Sequence, residues 1–334
     1  MTIKDIATLS GYAVGTVSRV LNGSPNVSEE ARARILAVVE EHHFILNNNA
    51  KHLKQQSSSG IAVIVKGSQN MLFASIVEQL QGLIRNKGLA CLIYYIDEDD
   101  NELEQALQVC QERRPLGILF LGSNTETFRS RFSAISVPCV LVTNSAAALG
   151  FPNLSSVTTD DVAASEYAVE YLISLGHRNI GILGGKTDCS NMAYTRYTGC
   201  LAAFRKHHIP FDANRQFVEA RFSMEGGYRA AGILLKQMPE ATALFAMSDV
   251  TAVGAIRAIR DRGLQVPEDI SVMGFDGIDL GRYLNPQLTT IRQQRERIAS
   301  RSVEILLRCI EQKAPAVHEV TPFDLFPGES ARRL

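Results

Sequence analysis

The chain lacks a surplus of either charge: 34 Lys+Arg stand against 35 Asp+Glu, a formal net charge of −1. That balance excludes a uniformly basic nucleic-acid coat and an acidic tail protein. It lacks paired cysteines as well. The six cysteines, at positions 91, 110, 139, 189, 200 and 309, form no CxxC, which argues for scattered reduced thiols and against a disulfide framework or a zinc site. No stretch approaches the roughly 18 uninterrupted apolar residues of a membrane span. The opening MTIKDIATLSGYAVGTVSRVL has no apolar run behind a basic start and no small-residue cleavage site, so a soluble, cytoplasmic protein is expected. Catalytic signatures are missing too. Gly185-Lys186-Thr187 would need a glycine where Ile180 stands to complete a phosphate-binding loop, and HExxH, GxSxG and an early GxGxxG are absent. The seven histidines have no plausible nucleophile or acidic partner in sequence. No enzyme, cofactor or metal site is expected.

What is present is the composition of a folded protein, 46% hydrophobic and 21% charged over 334 residues, a length that suggests about two domains. Polar Gln55-Gln56-Ser57-Ser58-Ser59-Gly60 reads as a linker. Beyond it, short apolar runs recur at 61–65, 90–96, 117–121, 139–142, 180–183, 243–246 and 270–275. Amphipathic stretches separate them, at 73–86, 103–113, 163–175, 196–207, 226–238 and 251–262. Continuous apolar strands alternating with helices predict parallel sheets covered on both faces. A break around Phe151–Ser156 divides the units into two doubly wound lobes. Small ligands bind between such lobes, at the carboxyl ends of the strands.

Ahead of the linker the pattern is short and helical. Thr2 precedes the run Ile3–Leu9 as a candidate cap, with Asp5 complementing the positive helix end and Ile3, Ile6 and Leu9 on one face. Gly11 supplies the left-handed conformation of a tight turn. A second helix over 14–21 is expected to bury Val17, Val20 and Leu21. A third, capped by Ser28 and running to about Glu41, is expected to bury Ala31, Ile35, Val38 and Val39. This is the pattern of a helix-turn-helix, whose second helix enters the DNA major groove.

The segment TIKDIATLSGYAVGTVSRVLN closely resembles the opening of the lactose repressor/galactose repressor (LacI/GalR) family. LGHRNIGILGG (175–185), RYTGCLAAF (196–204), ALFAMSD (243–249), VPEDISVMGFDG (266–277) and LTTIRQ (288–293) continue the likeness in that family's order and spacing. The resemblance implies a small all-α helix-turn-helix head over 1–45 and a hinge helix with linker over 46–59. These would be joined to an α/β periplasmic-binding-protein-like core of two doubly wound parallel-sheet lobes. Its N-terminal lobe would span 60–156 plus about 290–318, and its C-terminal lobe 157–289 plus about 319–334.

Carried over by position, Val14 and Gly15 open the recognition helix and help to choose bases. Arg19 reaches a guanine or a nearby phosphate, while Thr16, Ser18 and Asn22 hold phosphates. Ala13 stands at the cap position where the family commonly has Ser, and Leu46 where it has Pro. Leu53 falls where the family wedges a leucine into the minor groove; the alternative is an exposed leucine in a linker. Residues 1–60 carry Lys4, Arg19, Arg32, Arg34, Lys51 and Lys54 against Asp5, Glu29, Glu30, Glu40 and Glu41. Tight binding must therefore come from two copies on one site and from local placement of charge.

In the core, the resemblance maps an effector pocket onto Phe73, Arg196 and Asp276, with Asn144, Ser248 and Gln293 at neighbouring strand ends. Asp249 reads instead as the cap of the helix that starts near Thr251. Lys66 directly follows the run IAVIV, where it either meets a phosphate or carboxylate in the cleft or is solvated outside it. The function implied is a ligand-responsive DNA-binding transcriptional regulator, a repressor of carbohydrate-utilisation genes. It would bind a pseudo-palindromic double-stranded operator as a homodimer, with a sugar or sugar-derivative effector in the interlobe cleft and no membrane partner. Alternatives are a global catabolite regulator controlled by a phosphoprotein, a solute-binding protein, and a sugar-modifying enzyme for which no catalytic constellation is found.

Overall fold

In the computed structural model, residues 3–21, 27–42, 60–67, 69–187 and 192–334 are described. The chain divides into two compact units, 1–57 and 58–334.

The first unit holds three helices, α1 (Ile3–Ser10), α2 (Val14–Leu21) and α3 (Glu29–Glu41). Gly11, at φ +77°, makes the turn between the first two, as its lack of a Cβ allows. Ile6, Ala7, Val17, Val20 and Ile35 form the core, with Tyr12, Leu21, Val27, Val38 and Val39 half-buried around it. Leu9, expected on the buried face, is 49% exposed, because Ile6 and Ala7 already fill the contact with the other helices. The Ser28 hydroxyl caps α3 by accepting from the Ala31 N–H at 3.4 Å. The carbonyl of Ala13 accepts from Thr16 and Val17 N–H, so a residue with no capping side chain opens α2. Thr2, Asn22, Leu46 and Leu53 lie outside the described residues.

The second unit is built on two six-stranded sheets. In the first, β1 (Gly60–Lys66), β2 (Ala90–Ile96), β3 (Gly117–Leu121), β4 (Cys139–Val142) and β5 (Leu154–Thr159) alternate with α4 (Met71–Asn86), α5 (Glu102–Arg113) and α6 (Thr125–Arg131). In the second, β6 (Ile180–Gly184), β7 (Phe217–Glu219), β8 (Ala243–Ala246), β9 (Ser271–Asp276) and β10 (Thr289–Gln293) follow. They alternate with α7 (Asp161–Ser174), α8 (Met192–Lys206), α9 (Ala213–Gln216), α10 (Met224–Gln237) and α11 (Asp249–Arg260). Helix α12 (Arg295–Gln312) returns to pack on α4 and the first sheet, and β11 (His318–Thr321) and β12 (Phe323–Phe326) close one sheet each. The strand orders are β11-β5-β4-β3-β1-β2 and β12-β10-β9-β8-β6-β7. Among the described residues, all pairings are parallel except β10 with β12. The expected apolar runs are these strands; Ile61, Ala62, Val63, Ile64 and Val65 are fully buried because helices cover both faces.

The chain passes between the lobes at Asp160, Gln294 and Pro322. The boundaries read from sequence shift accordingly. Phe151–Ser156 is not the break, since β5 runs through it; β10 belongs to the second lobe, and all of β11 to the first. The physical cause is that β5, LSSVTT, is wholly buried although rich in hydroxyls. Ser155 Oγ accepts from Val317 N–H at 3.1 Å, Ser156 Oγ bonds His318 Nδ1 at 2.9 Å, and Thr158 Oγ1 donates to the Thr143 carbonyl at 2.9 Å. Buried hydroxyls with partners carry little cost, so a polar-looking segment lies mid-sheet. Among the described residues, no helix is long and apolar enough to cross a membrane.

Candidate functional site

Helix α2 is short and two-faced. Val17 and Val20 point into the small core, while Val14, Gly15 and Arg19 lie exposed on the other side. Thr16 and Ser18 are half-buried between the two faces. Positions 14, 15, 18 and 19 share one helical face, so the structure groups these four of the expected residues, with Thr16 off that face. A Cβ on Gly15 would meet nothing within 4 Å, so backbone is open to a close approach there.

In the core unit, the carboxyl ends of the two sheets meet around Asp276. This last residue of β9 is 1% exposed and held at φ +122°, a backbone that L-residues rarely adopt. Gln293, the last residue of β10, donates Nε2–H to Asp276 Oδ1 at 2.9 Å, and Arg196 Nη2–H donates to the same oxygen at 3.4 Å. Asn70 donates from the first lobe, Nδ2–H to Asp276 Oδ2 at 3.3 Å. Thr159 of β5 donates to Gln293 Oε1 at 2.9 Å, tying the two sheets beside the crossing.

Arg196 on α8 is fully buried, although it is the largest side chain so placed. Its Nε–H donates to Asp161 Oδ1 at 2.8 Å, Nη1–H to the Met247 carbonyl, and its guanidinium carbon lies 3.7 Å from the centroid of the Phe275 ring. Burial raises the carboxyl of Asp276 to about 6, against the lowering pull of Arg196, Gln293 and Asn70. Burial also raises Asp161, again opposed by Arg196. Asp249 is pushed well up by burial and by the nearby Asp276.

The other expected pocket residues are placed differently. Ser248, not Asp249, caps α11: its hydroxyl accepts from Thr251 N–H at 3.3 Å and bonds Thr251 Oγ1 at 2.8 Å. Asp249 instead accepts from Ile278 N–H at 2.8 Å and Thr290 Oγ1 at 2.6 Å, joining the loop after β9 to the start of β10. This corrects the expected cap, and the reason is geometric: the hydroxyl one residue earlier sits at the non-helical position. Phe73 is buried, with its ring packed over Gly122, where φ is +72° and any Cβ would strike that ring. Asn144 donates to the Ser123 carbonyl. Lys66 faces neither open cleft nor free solvent; its Nζ lies 2.8 Å from Glu102 Oε2, and Glu102 is fully buried. Glu102 also accepts from Asn124 N–H at 2.7 Å and Thr127 Oγ1 at 2.9 Å.

Sequence reading therefore brought Arg196, Asp276 and Gln293 together and missed Asn70 and Asp161. Asn70 also caps α4, its Oδ1 accepting from Leu72 N–H at 3.0 Å. At the cleft edge, Arg221 Nη2–H donates to Asp99 Oδ2 at 3.0 Å and pairs with Asp97 and Glu98, linking the lobes again. A groove of about 550 Å³ between α4 and α12 is lined by Gln79, Leu83, Asn86, Glu296 and Arg297, away from Arg196 and Asp276.

Residues 2–47 match the family described as bacterial regulatory proteins, lacI family, and residues 169–331 match the periplasmic binding protein-like domain. HTH-type transcriptional regulator MalR of Clostridium butyricum is 34% identical over 333 residues, 99% of each chain. The chain belongs to the lacI family. The ribose operon repressor of Haemophilus influenzae is 33% identical over 310 residues, 93% of this chain and 92% of that one. The lac repressor dimer bound to operator and the anti-inducer ONPF has the same fold, with a TM-score of 0.75 over 99% of both chains at 24% identity. This lacI-family protein is thus a DNA-binding transcriptional regulator and not an enzyme.

Proposed function

We propose that this regulator is a cytoplasmic repressor of carbohydrate-utilisation genes that binds a pseudo-palindromic operator as a homodimer. A sugar or sugar derivative between the lobes controls it. Val14, Gly15 and Arg19 read bases, Thr16, Ser18 and Asn22 hold the backbone, and Leu53 wedges the minor groove. Asp276, Arg196 and Gln293 bind the effector, with Phe73 and Asn144 lining it. The observation that carries the effector reading is the buried Asp276 carboxylate, which collects donors from both lobes through Asn70, Arg196 and Gln293. A planar carboxylate presents two oxygens, which suits adjacent hydroxyls. A ligand that replaces Asn70 on Asp276 then changes how the lobes are held, and differential affinity for two arrangements is what couples a ligand to a second site. A relative named as a ribose operon repressor supports a carbohydrate effector.

The test of the DNA half is selection of bound sequences from a random duplex pool. Arg19→Ala should weaken the preferred site by about 1–3 kcal/mol and relax one base position. An unchanged selected sequence in Arg19→Ala and in a Val14/Gly15 double variant contradicts the assignment of α2 to the groove.

A further inference from the structure

The cleft carries two kinds of polar group, and their balance says which ligand it takes. We infer that it holds a neutral, polyhydroxylated ligand and excludes anionic ones such as sugar phosphates and sugar acids. The inference rests on the effector reading above and narrows it.

The first support is the balance of charge at the carboxyl ends of the strands. Arg196 is flanked by two carboxylates, Asp161 and Asp276. Lys66 is spent on the buried Glu102. Asp249, buried and bonded to Ile278 N–H and Thr290, brings a further carboxyl and no cation. Even without it, three carboxylates face two cations, and both cations are engaged. At the edge, Arg221 lies against Asp97, Glu98 and Asp99, and Lys186 lies 3.7 Å from Asp99. The undescribed positions of this unit beyond its linker, Ser68 and Asp188-Cys189-Ser190-Asn191, bring no lysine or arginine by residue type. Arg196, the cation proposed to touch the ligand, already faces two carboxylates, so a phosphate or carboxylate entering here meets a surplus of like charge in a desolvated site.

The second support is independent of charge. Ser123 Oγ and Thr143 Oγ1 are buried and have no hydrogen-bond partner. They follow β3 and β4, neighbouring strands of the first lobe, and Asn144 joins that pair of strand ends through the Ser123 carbonyl. The second lobe shows what such a serine otherwise does. Ser248, after β8, is used up as the cap of α11, whereas after β3 the cap of α6 is Asn124, one residue later, which leaves the Ser123 hydroxyl without that duty. Thr143 is also held at φ +78°, unusual for a β-branched residue. Buried hydroxyls are ordinarily satisfied, and strained strand ends cluster where ligands are clamped. Their free bonding capacity is neutral and reversible in sense, donor or acceptor, which suits ligand hydroxyls.

The experiment is calorimetry and thermal shift on the full chain with matched sets: glucose, glucose 6-phosphate, glucuronate and glucosamine; ribose and ribose 5-phosphate; cellobiose. The expected result is that a neutral member binds and its anionic counterparts bind at least about tenfold more weakly, the scale of an unfavourable desolvated charge. Ser123→Ala should weaken that neutral ligand by about three- to tenfold, the loss of one ligand hydrogen bond. An anionic member that binds as tightly as its neutral parent, and loses binding in Asp276→Ala, overturns the inference. If no member of either class binds, the carbohydrate reading and this inference fail together, whereas an anionic member that binds in place of its neutral parent overturns the inference alone and leaves the carbohydrate reading intact.

Discussion

The two walls of the cleft are made of different chemistry. On the second lobe the wall is ionic: buried Arg196 is bonded to buried Asp161 and Asp276, while buried Asp249 bonds Ile278 N–H and Thr290 beside them. On the first lobe the ends are neutral, Asn70, Ser123, Thr143 and Asn144, and the ion pair of Lys66 with Glu102 is turned to fastening β1 to the loop ahead of α6. The same doubly wound plan thus yields a charged, rigidly bonded wall and a neutral wall with spare hydrogen-bonding capacity. On the effector reading proposed above, the first would fix a ligand's position and the second would choose among ligands. The difference lies in single residues at equivalent strand ends, not in the sheets.

The sharpest way to break this contrast is to remove the ionic wall's cation. Arg196→Ala leaves Asp161 and Asp276 buried without their partner. Breaking a buried pair by deleting one member costs about 3–5 kcal/mol, so chemical denaturation at neutral pH should show a larger loss than any other single substitution in the two walls. A loss below 1 kcal/mol, roughly that of an exposed pair, would mean that the two carboxyls are not held as ions by Arg196.

A pH series on the same wall comes next. Burial raises the Asp276 carboxyl to about 6, above its value of about 3.9 in an unfolded chain. Between those values the folded protein keeps a proton that the unfolded chain has released. The contribution of Asp276 to stability therefore falls as pH rises from about 4 to about 6 and is fully adverse above that. Each pH unit between the two values is worth about 1.4 kcal/mol, so the change across the window is on the order of 2–3 kcal/mol. Asp276→Asn cannot titrate, so its stability relative to wild type should climb through that window and then level off. A difference that is flat with pH would show that the site does not penalise the charge.

How far the sequence displayed these walls is itself instructive. The apolar strands stood out within a residue or two, because strands covered on both faces must be apolar throughout. Strand β5 was hidden because its Ser and Thr side chains are buried through bonds to residues in and beside β11 that lie far along the chain. Asp276, Arg196 and Gln293 were legible from family-like motifs. Asn70 and Asp161 were not, since each also stands at the start of a helix, and that position explains such a residue without invoking the cleft. Lys66 was ambiguous because its partner, Glu102, comes from another βα unit and no periodicity reports that pairing.

The smallest expected effect is on the neutral wall. Lys66→Met leaves Glu102 with its bonds from Asn124 and Thr127, and should cost about 1–3 kcal/mol, the range for one buried partner removed. The affinity for a neutral ligand should be unchanged by calorimetry, because the ammonium is turned to Glu102. A drop in affinity with stability preserved would move Lys66 into the ligand site and blur the contrast.

The central claim is that Asp276 couples a cleft ligand to operator binding. Fluorescence anisotropy of a labelled operator, chosen from the selected duplex pool and titrated with the best neutral ligand, tests it most directly. Wild type should change its operator affinity as ligand is added, and Asp276→Ala should bind operator but need at least about tenfold more ligand for the same change, the scale of truncating one charged partner in a desolvated site. An Asp276→Ala protein that responds at the wild-type ligand concentration contradicts the account.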